Sequence, residues 1–199
     1  MNFENVKLFY VFSCVALCLV ILSPALMAAV PFPEGEKFSE LWILESNRMA
    51  EGYPFNVAAG GRHSILLGVG NQMGGLEHYL VYVKLRNQTE PFPNSTAGLP
   101  SALEPIFEYR VFLRNNETWE REVSFSFEEV SFEGDVCRIS AVSVDWRFVN
   151  VDKVAVWDAE RSGFFYQLFF ELWIYDAEVS GFAFHSRSVG LWLNMSRQL

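Results

Sequence analysis

After position 38, apolar and polar residues alternate along most of this chain, the period-2 pattern of half-buried β-strands. Ile65, Leu67 and Val69 fall on one face of "HSILLGVG", and Tyr79, Val81, Val83 and Leu85 on one face of "HYLVYVKL". In "TWEREVSFSF", Trp119, Arg121, Val123, Phe125 and Phe127 oppose Thr118, Glu120, Glu122, Ser124 and Ser126. "RISAVSVDWRFV" aligns Val142, Val144, Trp146 and Phe148, and "GFFYQLFFELWIYD" and "GFAFHSRSVGLWLN" are rich in aromatic and β-branched residues. Gly, Asn and Pro lie between these runs as turn formers. The pattern predicts an all-β fold, a two-sheet antiparallel sandwich of seven or eight strands.

Two segments depart from simple alternation. Between Gly163 and Asp176, Phe164, Tyr166, Leu168, Phe170, Leu172 and Ile174 form one continuous core face. The opposite face carries Phe165, Gln167, Phe169, Glu171, Trp173 and Tyr175, aromatic but interrupted by polar residues. Either a neighbouring loop covers that second face, or it is exposed to a partner or a membrane interface. The segment from Arg86 to Phe107 holds four prolines and predicts a long exposed loop, with a helical turn near Ser101 to Glu104.

Ahead of the strands, Leu8 to Val30 is a run of 23 residues without a charge. As a helix it is long enough to cross a bilayer core of about 30 Å. It reads as an uncleaved signal anchor or as a cleaved signal peptide with small residues Ala25, Ala28 and Ala29 near its end. The length of the run and the lack of a clean A-x-A site favour the anchor. Lys7 precedes the run while Glu34 and Glu36 follow it, which places the remainder outside by the positive-inside rule. The expected organisation is an anchor over 1–30 that contacts membrane lipid, a proline-stiffened stalk over 31–37, and a β-domain over 38–199. Four N-x-S/T tripeptides follow the span, at Asn87, Asn94, Asn116 and Asn194, and are candidate glycosylation sites on an outward-facing domain.

Composition narrows the partners. The formal net charge is −9 and no Lys/Arg cluster offsets it, which disfavours nucleic acid. Cys14 and Cys18 lie within the apolar run, leaving Cys137 as the lone thiol of the β-domain. That domain has no second cysteine for an internal disulfide and no cysteine-based zinc set. His63, His78 and His185 belong to no HExxH or H-x-H motif, and no G-x-S-x-G appears. "GVGNQMGG" lacks the spacing of a dinucleotide loop. Glu128, Glu129, Glu133 and Asp135 could hold calcium at a loop but read more simply as solvated turns. No catalytic, metal or cofactor residue is assigned. The expectation is a binding or scaffold domain rather than an enzyme, with a protein partner in the envelope. The contact candidates are Phe165, Phe169 and Trp173.

One stretch, "FSELWILESNRMAEGYPFNVAAGGRHSILLGVGN", is more patterned than the rest. Phe38 and Glu40, then Ala50, Tyr53, Pro54 and Asn56, then Gly60, Gly61, Gly68 and Asn71 stand at motif-like spacing. With "EHYLVYVKL" and the later "GFFYQLFFELWIYD", it resembles the extracytoplasmic half of an archaeal membrane family known as domain of unknown function 1616. That resemblance implies an Ig-like sandwich on a membrane anchor, with no assigned reaction. Read physically, Tyr53-Pro54 enters a turn, Gly60-Gly61 permits positive φ, and Asn71 closes a turn on its own backbone.

Overall fold

The computed structural model describes residues 3–29 and 35–196, in two separate units. The first contains helix α1, Phe3–Ala29, which continues past Pro24. Its stretch Val6–Ser23 is long and apolar enough to cross a membrane. Most of the expected stalk, including Pro31 and Pro33, lies outside the described residues.

In the second unit the alternating runs become ten strands: β1 (Phe38–Leu44), β2 (Asn56–Val57), β3 (Arg62–Gln72), β4 (Glu77–Asn87), β5 (Phe107–Leu113), β6 (Glu117–Glu133), β7 (Val136–Val144), β8 (Arg147–Val156), β9 (Phe164–Asp176) and β10 (Gly181–Met195). They form two five-stranded sheets, ordered β1-β3-β6-β7-β8 and β2-β10-β9-β4-β5. All pairings are antiparallel except the short β2–β10 pair. This is a β-sandwich, with more strands than the seven or eight expected. One reason is that "RISAVSVDWRFV" holds a hairpin: Asp145 and Trp146 both have positive φ (45° and 68°) and separate β7 from β8. Two positive φ values in a two-residue loop match the twist of the flanking strands. Val142 and Val144 are accordingly buried, while Trp146 and Phe148 are exposed, not aligned with them on the core face.

The inward faces follow the alternation. Ile65, Leu67, Val69, Tyr79, Val81, Val83, Leu85, Val123, Phe125, Phe127 and the even-numbered face of β9 fill one core. Several polar contacts tie sheet to sheet, four of which join residues at the edges and interior of that core. The Ser39 and Tyr79 hydroxyls lie 2.7 Å apart. Tyr166 donates to the Cys137 carbonyl at 2.7 Å, and Tyr109 to the Asp145 carboxylate at 2.9 Å. Burial pushes both of these phenols well above the usual tyrosine range. Asn71 makes the fourth tie, donating to the Leu113 carbonyl at 2.7 Å.

The patterned stretch proves to be scaffold at most of its positions. Asn71 is fully buried; it also donates to the Gly75 carbonyl and accepts from the Met73 amide, each at 2.8 Å. Gly60, at φ 71°, donates its amide to the Phe127 carbonyl. Gly68 pairs with Trp42 across β1–β3, and a Cβ there would sit 2.1 Å from the indole. Tyr53 donates to the Ile43 carbonyl at 2.8 Å and holds the turn against the edge of β1.

Candidate functional site

The outward face of the β2-β10-β9-β4-β5 sheet is divided in two. One half is covered by the chain's own proline-rich segment, 88–106. There Phe92 packs on Phe169 with ring centroids 5.3 Å apart, and the Ser101 amide donates to Glu171 at 2.7 Å. Lys84 pairs with Glu171 at 2.9 Å and donates to the Ser101 carbonyl at 2.8 Å. Trp173 donates its indole N–H to the same carboxylate at 3.2 Å. Both charged groups of the pair are buried, and each is hydrogen-bonded, the condition under which a buried ion pair is tolerated. Ser101, expected on an exposed helical turn, lies instead in irregular, buried backbone.

Beyond Trp173 the cover ends and aromatic rings continue in the open. Because β10, β9, β4 and β5 lie side by side, Phe182, Tyr175, His78 and Phe112 line up across four strands. Phe182 and Tyr175 are 5.7 Å apart, Tyr175 and His78 6.3 Å, and His78 stacks on Phe112 at 3.9 Å. Behind them Phe184 and Tyr82 flank Trp173 at 5.8 and 5.5 Å. Arg110 lies 5.5 Å from the Phe182 ring and pairs with Glu108 on its own strand. Phe112 is 63% exposed and Tyr175 43%, so this is a contiguous aromatic surface with a charged rim. Burial and the Arg110 charge hold His78 below the ordinary histidine range, so near neutral pH it serves as one more uncharged ring.

Of the three contact candidates read from sequence, two are corrected by this arrangement. Phe165 and Phe169 are buried, Phe169 beneath Phe92 and Phe165 beside Phe55. Trp173 is half-buried at the boundary of the cover. The alternation of Phe182 and Phe184, and of His78 and Tyr82, marks the outward face. The register that brings them beside Phe112 is visible only in the folded chain. Lys84 and Ser101 carried no signal at all.

Two other surfaces bear on function. An apolar groove of about 420 Å³ is lined by Trp42, Ile43, Tyr53, Pro54, Phe55 and Trp192, among others. A cleft of about 580 Å³ brings His63 near Asp145, Glu122 and Arg121. Asp145 is already engaged by Tyr109, Arg121 and Ser124, and the His63 Nε2 has no hydrogen-bond partner among the described residues. The two groups share a cleft without touching. No three His, Cys, Asp or Glu among the described residues converge on a metal position. The four sequon asparagines are spread over the β4 end, the proline-rich segment, the β5–β6 turn and β10.

Comparison with solved structures finds similarity to a β-glucosidase from Listeria innocua in complex with isofagomine, at 10% identity and TM-score 0.36. That match covers 82% of this chain and 17% of the glucosidase, so the chain spans less than a fifth of that protein. The ASH / PapD-like domain of human CEP192 is similar at 10% identity and TM-score 0.33, over 85% of this chain and 92% of that domain. No curated protein sequence matches the chain significantly. Residues 32–140 match the family model described as Domain of unknown function (DUF1616). "GFFYQLFFELWIYD" lies beyond that match. Since the matched segment is more than half of the chain and includes the whole Phe38–Asn71 pattern, this protein belongs to the DUF1616 family.

Proposed function

We propose that this chain is a membrane-anchored binding protein of the cell envelope, its β-domain facing outward and holding a protein partner on the open aromatic face. It acts as a scaffold or adhesion module and contributes no reaction of its own. The observation that carries the reading is the aligned set of rings on β10, β9, β4 and β5, with Phe112 and Tyr175 exposed and Phe182 and His78 half-buried. Interface centres are enriched in such aromatic groups and in arginine, with polar residues at the rim. A large exposed apolar patch is uncommon on a protein with nothing to bind. The apolar helix supports an anchor, and the charge change across it, from Lys7 to Glu36, supports the outward side.

The test is photo-crosslinking in native membranes from a photoreactive phenylalanine analogue, which keeps the ring, at Phe112, compared with the same analogue at the similarly exposed Phe148 of β8. A defined envelope protein captured from position 112 and not from 148, and lost when Trp173 is replaced by Ser, supports the reading. A multi-span enzyme as that protein would make the chain an accessory subunit of a surface-glycosylation or export complex. Equal capture from the two positions, or none, overturns the assignment of the face.

A further inference from the structure

The four N-x-S/T tripeptides share a sequence rule but not a chemical state. At Asn87, Nδ2 donates to the Val154 carbonyl at 2.8 Å, tying the end of β4 to β8 in the other sheet. Its Oδ1 accepts from the Thr89 amide, the Glu90 amide and the Thr89 hydroxyl at 2.9, 2.9 and 3.0 Å. At Asn194, Nδ2 donates to Asn56 Oδ1 at 3.0 Å and Oδ1 accepts from the Phe164 amide at 3.2 Å. Asn194 lies in β10 between β9 and β2, and its sequon hydroxyl, Ser196 Oγ, donates to the Val57 carbonyl at 3.1 Å. In both sequons the amide that would be modified is already spent on the fold.

Asn94 and Asn116 differ. Asn94 is exposed on the proline-rich segment; its Oδ1 accepts from the Ala97 amide at 3.0 Å, and its Nδ2 has no hydrogen-bond partner among the described residues. Thr96, its sequon hydroxyl, is exposed as well. Asn116 sits at φ 64° at the tip of the β5–β6 turn, a left-handed conformation that asparagine accepts readily. Its side chain and that of Thr118 are exposed, and neither forms a hydrogen bond among the described residues.

We infer that the folded domain is a substrate for N-linked glycosylation at Asn94 and Asn116, and at neither Asn87 nor Asn194. The inference rests on the outward placement proposed above. In the transfer, Asn Nδ2 attacks the anomeric carbon of an oligosaccharide activated on polyprenyl pyrophosphate. The N–C bond forms as the C–O bond to phosphate breaks, the amide proton passes to a base of the transferase, and the lipid pyrophosphate leaves with the electron pair. An Nδ2 held by Val154 or Asn56 has to be freed from the fold before it can attack. The two available sites bracket the aromatic face: Ser95 reaches Ser188 at 3.3 Å, two residue pairs past the Trp173 level, and Asn116 follows shortly after Phe112. Glycans there would frame the face without covering it.

The experiment offers the full-length protein in detergent, native or unfolded in urea and diluted, to a purified oligosaccharyltransferase with a polyprenyl-pyrophosphate oligosaccharide, and maps sites by peptide mass spectrometry. Native protein is expected to gain glycan at Asn94 and Asn116 only, and N94Q and N116Q each to lose one. Freshly diluted, unfolded chain is expected to gain it at Asn87 and Asn194 too. Glycan on native Asn87 or Asn194, or on neither Asn94 nor Asn116 while the unfolded chain is modified, overturns the inference. Labelling E160C in intact cells with a membrane-impermeant maleimide tests the outward placement separately. Labelling only after lysis would overturn that placement, and with it modification in the cell, while leaving the site selection measured in detergent as a distinct result.

Discussion

The Lys84 ammonium lies 2.9 Å from the Glu171 carboxylate, and a loop from the same chain, through Ser101, satisfies both partners. The pair is a joint between the proline-rich segment and the sheet. Removing one partner leaves a buried charge without compensation, a loss of about 3–5 kcal/mol. Glu171→Leu and Lys84→Met are each expected to lower the urea midpoint strongly. The double variant is expected to recover a large part of the loss, because it leaves no orphaned charge. Urea unfolding of all four proteins checks this. Additive losses would show that the two side chains act independently.

Gly68 exists to admit the Trp42 indole, since a Cβ would lie 2.1 Å from it. Gly68→Ala forces the ring or the β1 edge to move and is expected to cost about 1–3 kcal/mol. In a Trp42→Ala background the same change is expected to be far better tolerated. A thermal-denaturation double-mutant cycle reads the difference.

Asn71→Ala removes two donated bonds; the exposed Gly75 carbonyl can turn to water, but the buried Leu113 carbonyl loses its side-chain donor at the end of the core. Each unpaired buried group costs roughly 1–3 kcal/mol, so the variant is expected to be among the most destabilised single changes in the β-domain. Amide exchange near Gly75 and Leu113 is expected to rise with the loss. Unchanged protection there would refute the clamp.

Burial holds His63 below the ordinary histidine range, and its Nε2 has no hydrogen-bond partner among the described residues. As pH falls below about 6.5, the unfolded chain protonates this residue before the folded one does. The stability present above that pH is therefore lost as pH drops towards the folded value. His78 and His185 are also shifted downwards, mainly by burial, and add to the same trend. Urea midpoints at pH 7.5 and 5.5 are expected to differ, and to differ less in His63→Phe. An equal pH effect in that variant would remove His63 from the account.

Tyr175→Ser and Phe112→Ser are expected to leave the unfolding midpoint nearly unchanged, since both rings project into solvent and exposed positions move stability little. Partner capture from the aromatic face is expected to fall at least tenfold. A large stability loss with capture preserved would reassign these rings to a structural task.

The fold was legible where burial on one face imposes a strict period. Ile65, Leu67 and Val69 or Tyr79, Val81 and Val83 could lie nowhere but inward. The Asp145-Trp146 hairpin was not legible, because a two-residue turn without glycine looks like two more strand residues. Phe165 and Phe169 show the same limit at the site. Their apolar character announced that something covers them, and the pattern alone left open whether it was a partner or the chain's own Phe55 and Phe92. Whether an outward ring is open or roofed depends on a loop's path, and a loop fixed by one lysine–glutamate pair leaves no periodic trace.

The proline-rich segment acts as a shutter of fixed width. Its closing point at Ser101 and Glu171 sets where the roofed part of the sheet stops and the open rings begin. A few residues added to it would draw the edge over Tyr82 and Trp173, and a few removed would bare Phe169. In this architecture loop length alone would resize the open aromatic surface, with the ten strands beneath left as they are.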